Sequence, residues 1–237
     1  MALPILNDKP KYEMTIPSTG QIVRFRPYLV REEKVLMLAM ESEDSNQMFS
    51  SIIDTIKACV DTEESDIKWN ELAIFDIEYM FVTIRSKSVG ETSKLNLKCT
   101  ECEESNELVV DLSDIAPAMP DVSSTIVLTD DISLEMQWPA YSDLNKAGMQ
   151  EMSSTELTMM MIGNCIKYVN TVDDQIILRD ESQESVTAFI DSLSTAQFEM
   201  IKNYTEKMPQ IIKNIEFDCE NCNHHNEIKL QGMADFF

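Results

Sequence analysis

The sequence predicts an α+β fold built from two tandemly duplicated halves, and three observations lead there. First, "CTECEESNELVVDL" from Cys99 is answered by "CENCNHHNEIKLQG" from Cys219, each a Cys-x-x-Cys turn followed by Asn-Glu and a β-type run. Second, each turn is preceded by a short alternating stretch, "LNLK" and "IEFD", so each pair sits in a hairpin. Third, the elements recur in one order: hairpin, proline, helices, Cys-x-x-Cys hairpin. The expected halves are residues 1–117 and 118–237, with the join between Asp114 and Ser123. "IKACVDT" against "IKYVNT", and "AIFD" against "AQFE", are local echoes of the same repeat.

Taken in chain order, "YEMTIPSTGQIVRFRP" alternates polar and apolar residues around Ser18-Thr19-Gly20 and predicts a hairpin ended by Pro27. "VREEKVLMLAMES" predicts a short helix through Val35, Leu36, Leu38 and Met40. A second helix follows, with Met48, Ile52, Ile53, Ile56 and Cys59 on one face and Ser45 as its expected N-cap. "ELAIFDIEYMFVTIRS" predicts a mostly buried helix around Phe75, Tyr79 and Val82, ended by Gly90. After Pro117 and Pro120, "STIVLTDDISLEMQWP" predicts a strand, turn and strand with Ile132, Leu134, Met136 and Trp138 alternating. "AYSDLNKAGMQ" and "SSTELTMMMIGNCIKYV" are expected helices, the second capped by Ser153 or Ser154. "QIILRDE" is an expected short strand, and "SQESVTAFIDSLS" and "TAQFEMIKNYTEK" expected helices.

Composition limits the function classes. The 237 residues are 43% hydrophobic, enough for one or two buried cores. A net charge of −23 repels phosphate backbones and anionic headgroups, so neither a nucleic acid nor a membrane is an expected partner. No apolar run approaches the roughly 20 residues that span a bilayer. "MALPILNDKPKYEMTIP" lacks a basic region followed by a long apolar one, so secretion is not expected. The five glycines form no phosphate loop, and the two histidines, adjacent and beside the second Cys-x-x-Cys turn, suggest no Cys/His or Ser/His/Asp nucleophile system. Neither a catalytic residue nor a small-molecule substrate is expected.

In such a chain the six cysteines read as metal ligands or buried thiols. One Cys-x-x-Cys turn supplies half of a tetrahedral zinc shell, and two complete it. The 116 residues between Cys102 and Cys219 far exceed the insert of a compact zinc ribbon. Packing about a pseudo-two-fold axis would bring the turns together, so the expectation is one structural Zn²⁺ per chain on Cys99, Cys102, Cys219 and Cys222, a zinc-ribbon-like clasp. A redox dithiol pair and metal-free turns are the other readings. His224 and His225 are read as polar turn residues, since Glu104 and Ser105 stand at the matching places. Cys59 and Cys165 are expected core thiols. "VLMLAM" and "LTMMMIG" fit ordinary core packing or a soft groove for a partner helix, and Phe236 and Phe237 fit either packing on the clasp or docking into a partner.

Residues 11 to 42, with "PSTG", "RFRP" and "VREEK" in combination, and the two cysteine turns resemble the baseplate hub proteins of T4-type contractile-tailed bacteriophages. The resemblance implies a non-enzymatic subunit or assembly chaperone of the central hub, with other hub and tape-measure proteins as partners. It would act in the host cytoplasm during assembly and, as a subunit, stay in the tail baseplate of the virion. No site residues accompany the resemblance. Arg24, Arg26 and Arg31 are then either partner contacts or local ion pairs with Glu32 and Glu33. An acidic zinc-ribbon adaptor in transcription is the alternative, with a redox enzyme third.

Overall fold

The computed structural model describes residues 10–42, 44–62, 66–145 and 152–236. The chain forms two compact units, and they do not run in chain order. One comprises Met1–Ile67, Phe75–Ala118 and Gln210–Phe237, the other Lys68–Ile74 and Met119–Pro209. The packing units therefore do not coincide with 1–117 and 118–237, because the last hairpin shares its apolar core with elements of the first half.

The first unit opens with β1 (Tyr12–Thr15) and β2 (Ile22–Phe25), antiparallel, with Tyr12 opposite Phe25 and Thr15 opposite Ile22. Gly20 takes φ +69° in the turn, a conformation that glycine adopts without steric cost. Met14, Ile16, Val23 and Phe25 point inward. The turn is fastened by Asp76, fully buried, whose carboxylate accepts from Ser18 N–H at 2.9 Å and Ser18 Oγ–H at 2.5 Å. Asp76 lies near the start of α3 (Ile74–Val89), whose Phe75, Ile77, Met80, Val82 and Ile84 are buried and which stops before Gly90 at φ +126°.

Between them lie α1 (Val30–Glu41) and α2 (Ser45–Cys59). The cap of α2 is Asp44, not Ser45: its Oδ1 accepts from Asn46 N–H at 2.9 Å and Gln47 N–H at 3.3 Å. A carboxylate one residue earlier serves the free amides, and it also suits the positive end of the helix dipole. Ile52, Ile53, Ile56 and Cys59 form the buried face of α2. By contrast α1 buries only Glu32 and Ala39, and Val35, Met37, Leu38 and Met40 stay about half exposed or more.

Two further hairpins complete this unit: β3 (Thr92–Lys98) with β4 (Ser105–Asp111), and β9 (Ile212–Asp218) with β10 (His225–Gln231). Leu95, Val110, Leu112, Ile115, Ile211 and Leu230 of these segments form one apolar cluster with Val82 and Phe236. Phe236 is fully buried and its carbonyl accepts from Ser93 Oγ–H at 3.0 Å; Phe237 lies outside the described residues.

The second unit is a four-stranded antiparallel sheet in the order β5 (Thr125–Val127), β6 (Ser133–Met136), β7 (Ile166–Asn170), β8 (Gln175–Ile177). It carries α4 (Ser154–Asn164), α5 (Gln183–Asp191) and α6 (Thr195–Thr205). Leu134, Met136, Ile162, Cys165, Ile166 and Ile201 are central to its core. Ser153 caps α4 in a reciprocal box with Glu156, an arrangement worth about 1 kcal/mol.

One element differs in kind from the sequence expectation. The helix expected to run through Ile166-Lys167-Tyr168-Val169 ends at Asn164, and these residues become β7. Pairing of Leu134 with Val169 and of Met136 with Ile166 buries both β-branched residues against β6, which local helix propensity does not register. The echo "IKACVDT" thus ends a helix while "IKYVNT" is a strand. The segment from Tyr141 is a 3-10 turn through Asn145, and the rest of its expected helix, 146–150, lies outside the described residues.

Candidate metal centre

Both cysteine turns lie in the first unit, and their local geometry is the same. Ladders that pair Lys98 with Ser105 and Asp218 with His225 each leave a loop that begins at the first cysteine. In the first loop Cys99 N–H donates to Glu104 O at 2.8 Å and Glu103 N–H to Cys99 O at 3.0 Å. In the second, Cys219 N–H donates to His224 O and Asn223 N–H to Cys219 O, both at 2.9 Å. The residue after each second cysteine, Glu103 and Asn223, takes φ 59°. Asparagine tolerates that left-handed conformation, whereas for glutamate it costs about 1 kcal/mol. Glu103→Asn is therefore expected to raise stability by about 0.5–1 kcal/mol, read from a denaturant midpoint. An unchanged or lower midpoint would contradict this.

Cys99, Cys102, Cys219 and Cys222 converge, with all four Sγ atoms within 4.8 Å of one another. The cross-hairpin pairs Cys99–Cys222 and Cys102–Cys219 each stand at 3.6 Å. That is far beyond the ~2.05 Å of a disulfide and close to the ~3.8 Å edge of a tetrahedron with zinc–sulfur bonds of about 2.3 Å. The donor set thus fits a tetrahedral thiophilic ion. All four are free thiols; Cys99 and Cys219 are buried and Cys222 is exposed.

The turns favour thiolate on the first cysteines. Burial opposes ionisation of Cys99, but N–H donors of Cys102 and Glu101 and the Asn226 carboxamide outweigh it and pull the thiol down to about 6. The Cys222 N–H likewise lowers Cys219. Cys222 goes the other way, to about 12: the His224 N–H acts to lower it, but neighbouring Cys102, partial desolvation of the sulfur and the other two thiols together prevail. Without a cation at the centre, four adjacent sulfurs do not ionise together.

Other residues singled out from the sequence lie elsewhere. His224 and His225 are exposed and outside the sulfur cluster; His225 Nδ1 meets Asp218 Oδ1 at 2.8 Å. Cys59 and Cys165 are buried, and burial pushes their thiols up to about 11 and about 12, so both are inert at neutral pH. Arg24 pairs with Glu13 at 3.2 Å, and Arg26 and Arg31 pair with Glu32 at 2.9 and 2.7 Å. Asn106 and Asn226, which the sequence marks only as a repeated Asn-Glu, also stand at the centre.

The α+β fold thus brings together four thiols that could hold a metal ion. The family model described as "T4 bacteriophage base plate protein" matches residues 9–237, nearly the whole chain, and the protein belongs to that family. No curated protein and no solved structure matches it. Among the described residues no helix is long and apolar enough to cross a membrane.

Proposed function

We propose that this baseplate protein is a non-enzymatic component of the central hub, either a subunit or an assembly chaperone, whose cysteine hairpins are clasped by one structural zinc ion. The family match over residues 9–237 carries the baseplate role. The zinc reading draws on four sulfurs within 4.8 Å of one another, two pairs of them at 3.6 Å. An all-thiolate shell offers no open position for a substrate, which suits a structural ion. Bound zinc would neutralise part of the thiolate charge and tie Cys99 and Cys102 of one hairpin to Cys219 and Cys222 of the other. The two hairpins share loop geometry as well as sequence, in keeping with an ancient duplication of 1–117 and 118–237.

Other hub and tape-measure proteins are the partners in this reading. Supporting it, two apolar grooves lie open on the separate units. Leu36, Met37, Met40, Met48 and Ile52 line one, and Leu157, Met159, Met161, Phe198 and Met208 the other. Flexible methionine side chains adapt to partner surfaces of different shape. The acidic surface, with Glu101, Glu103, Glu104 and Glu220 exposed around the clasp, is poorly suited to nucleic acid.

Peptide mass spectrometry of purified phage particles, beside affinity capture from infected cells, tests the role. Stoichiometric recovery in particles identifies a hub subunit present during assembly and retained in the virion tail. Absence from particles, with hub or tape-measure proteins captured from the lysate, identifies an assembly chaperone in the host cytoplasm. If neither occurs, the hub role is wrong.

A further inference from the structure

The inward faces of the two cysteine hairpins carry a polar residue at one repeated place. Asn106 follows Cys99 by seven positions, and Asn226 follows Cys219 by seven. Both are buried, at 4% and 1% exposure, where a carboxamide is costly unless each end finds partners. The partners are reciprocal. Asn226 Oδ1 accepts from Thr100 N–H at 2.8 Å and from Thr100 Oγ–H at 2.9 Å, while Asn106 Oδ1 accepts from Glu220 N–H at 3.0 Å. Thr100 and Glu220 each follow the first cysteine of the opposite hairpin. At the other end, Asn226 Nδ2 donates to His224 O of its own turn at 2.9 Å and lies 3.6 Å from Cys99 Sγ. Asn106 Nδ2 donates to Glu104 O at 2.9 Å and lies 3.8 Å from Cys219 Sγ. Each side chain closes its own turn and grips the opposite one.

We propose that Asn106 and Asn226 form a reciprocal latch that docks the tips of the two cysteine hairpins without metal, so that four thiols converge before an ion arrives. The shared apolar cluster holds the hairpins near their bases, through Leu95, Val110, Ile211 and Leu230. The tips carry exposed carboxylates at Glu101, Glu103, Glu104, Asp218 and Glu220, which repel one another. Against that repulsion the latch sets three cross-hairpin hydrogen bonds to the carboxamide oxygens and two N–H contacts to sulfur, screened from water by burial of both side chains. Aspartate could not replace either residue, since it lacks the N–H donors and would place a further charge beside a sulfur.

The latch is tested on the full-length chain, reduced and stripped of metal by a chelator, by residue-resolved amide hydrogen exchange. In the stripped wild type, Thr100 and Glu220 N–H are expected to be protected. Asn226→Ala should speed exchange at Thr100 by about tenfold or more, and Asn106→Ala should do so at Glu220, with the β3–β4 and β9–β10 ladders still protected. Free exchange at Thr100 and Glu220 in the stripped wild type would overturn the latch, and that result does not depend on how any variant folds. Equal acceleration at both amides in each single variant would overturn its crosswise character.

A second arm rests on the proposed zinc role. The double variant should capture added Zn²⁺ at least about tenfold more slowly than wild type, yet still reach one ion per chain. Equal capture rates would overturn preassembly. A wild type that binds no Zn²⁺ would refute the metal reading, while the exchange result would still decide the latch.

Discussion

Serine at either Cys99 or Cys219 is expected to abolish zinc binding, whichever hairpin carries the change. Cys99 and Cys222, and Cys102 and Cys219, meet at 3.6 Å across the two hairpins, and neither turn alone holds a complete shell. Elemental analysis should fall from one zinc per chain to near zero in both variants and stay at one in Cys59→Ser, whose sulfur lies on α2. Structural zinc sites contribute on the order of 10 kcal/mol, comparable with the whole net stability of many domains. Part of that is recovered here, because the hairpins also share an apolar cluster with Val82 and Phe236. The expected cost is a fall in melting temperature on the order of 10 °C, reproduced by stripping the wild type with a chelator. Two ions per chain, or loss of zinc in only one of the two variants, would defeat the shared site.

The second large effect lies at Glu32. Its side chain is only 8% exposed and faces Arg26, itself 15% exposed, at 2.9 Å. Its other oxygen accepts from Leu29 N–H at 2.8 Å, which closes the start of α1. Burial works against the charged form, but Arg31, the Leu29 amide and Arg26 outweigh it and hold the carboxyl at about 2, well below the usual 4.5. A lowered folded-state value stabilises the protein above pH ~4.5, and the stabilisation is lost as the pH falls from there towards 2. With the exposed Arg31 discounted, the contribution is about 2 kcal/mol at neutral pH. Glu32→Gln should forfeit that amount, and its stability curve should converge on the wild-type curve between pH ~4.5 and 2. Glu32→Ala should cost more, about 3 kcal/mol, because it removes every acceptor for the partly buried Arg26 and the Leu29 N–H, whereas glutamine keeps one. Denaturant midpoints across this range provide the check, and parallel curves down to pH 2 would contradict the assignment.

Local features were legible in the sequence. The β1–β2 turn at Gly20, the buried face of α2, the serine box of α4 and both Cys-x-x-Cys hairpins each depend on residues within a few positions of one another. The likeness of the two hairpins reached even their loops, where Glu103 and Asn223 share one backbone conformation. The candidate ligands were readable for the same reason, since a thiol pair in a tight turn announces half of a metal shell.

Long-range pairing decided the rest. Ile166–Asn170 became β7 because β6 offered it a partner and a buried face, not because of its own propensity. The apolar residues of α1 read like a core stripe, yet Val35, Leu38 and Met40 remain largely open on the surface. Asn106 and Asn226 repeated in the sequence as plain polar residues at inward positions of β4 and β10. Their partners, Thr100 and Glu220, lie more than a hundred residues away along the chain. By itself the sequence determined that the protein carries two matching Cys-x-x-Cys turns. Only the tertiary structure, by burying the two hairpins in one apolar cluster, decided that the turns meet, because convergence of distant thiols is a property of packing and leaves no mark in local spacing.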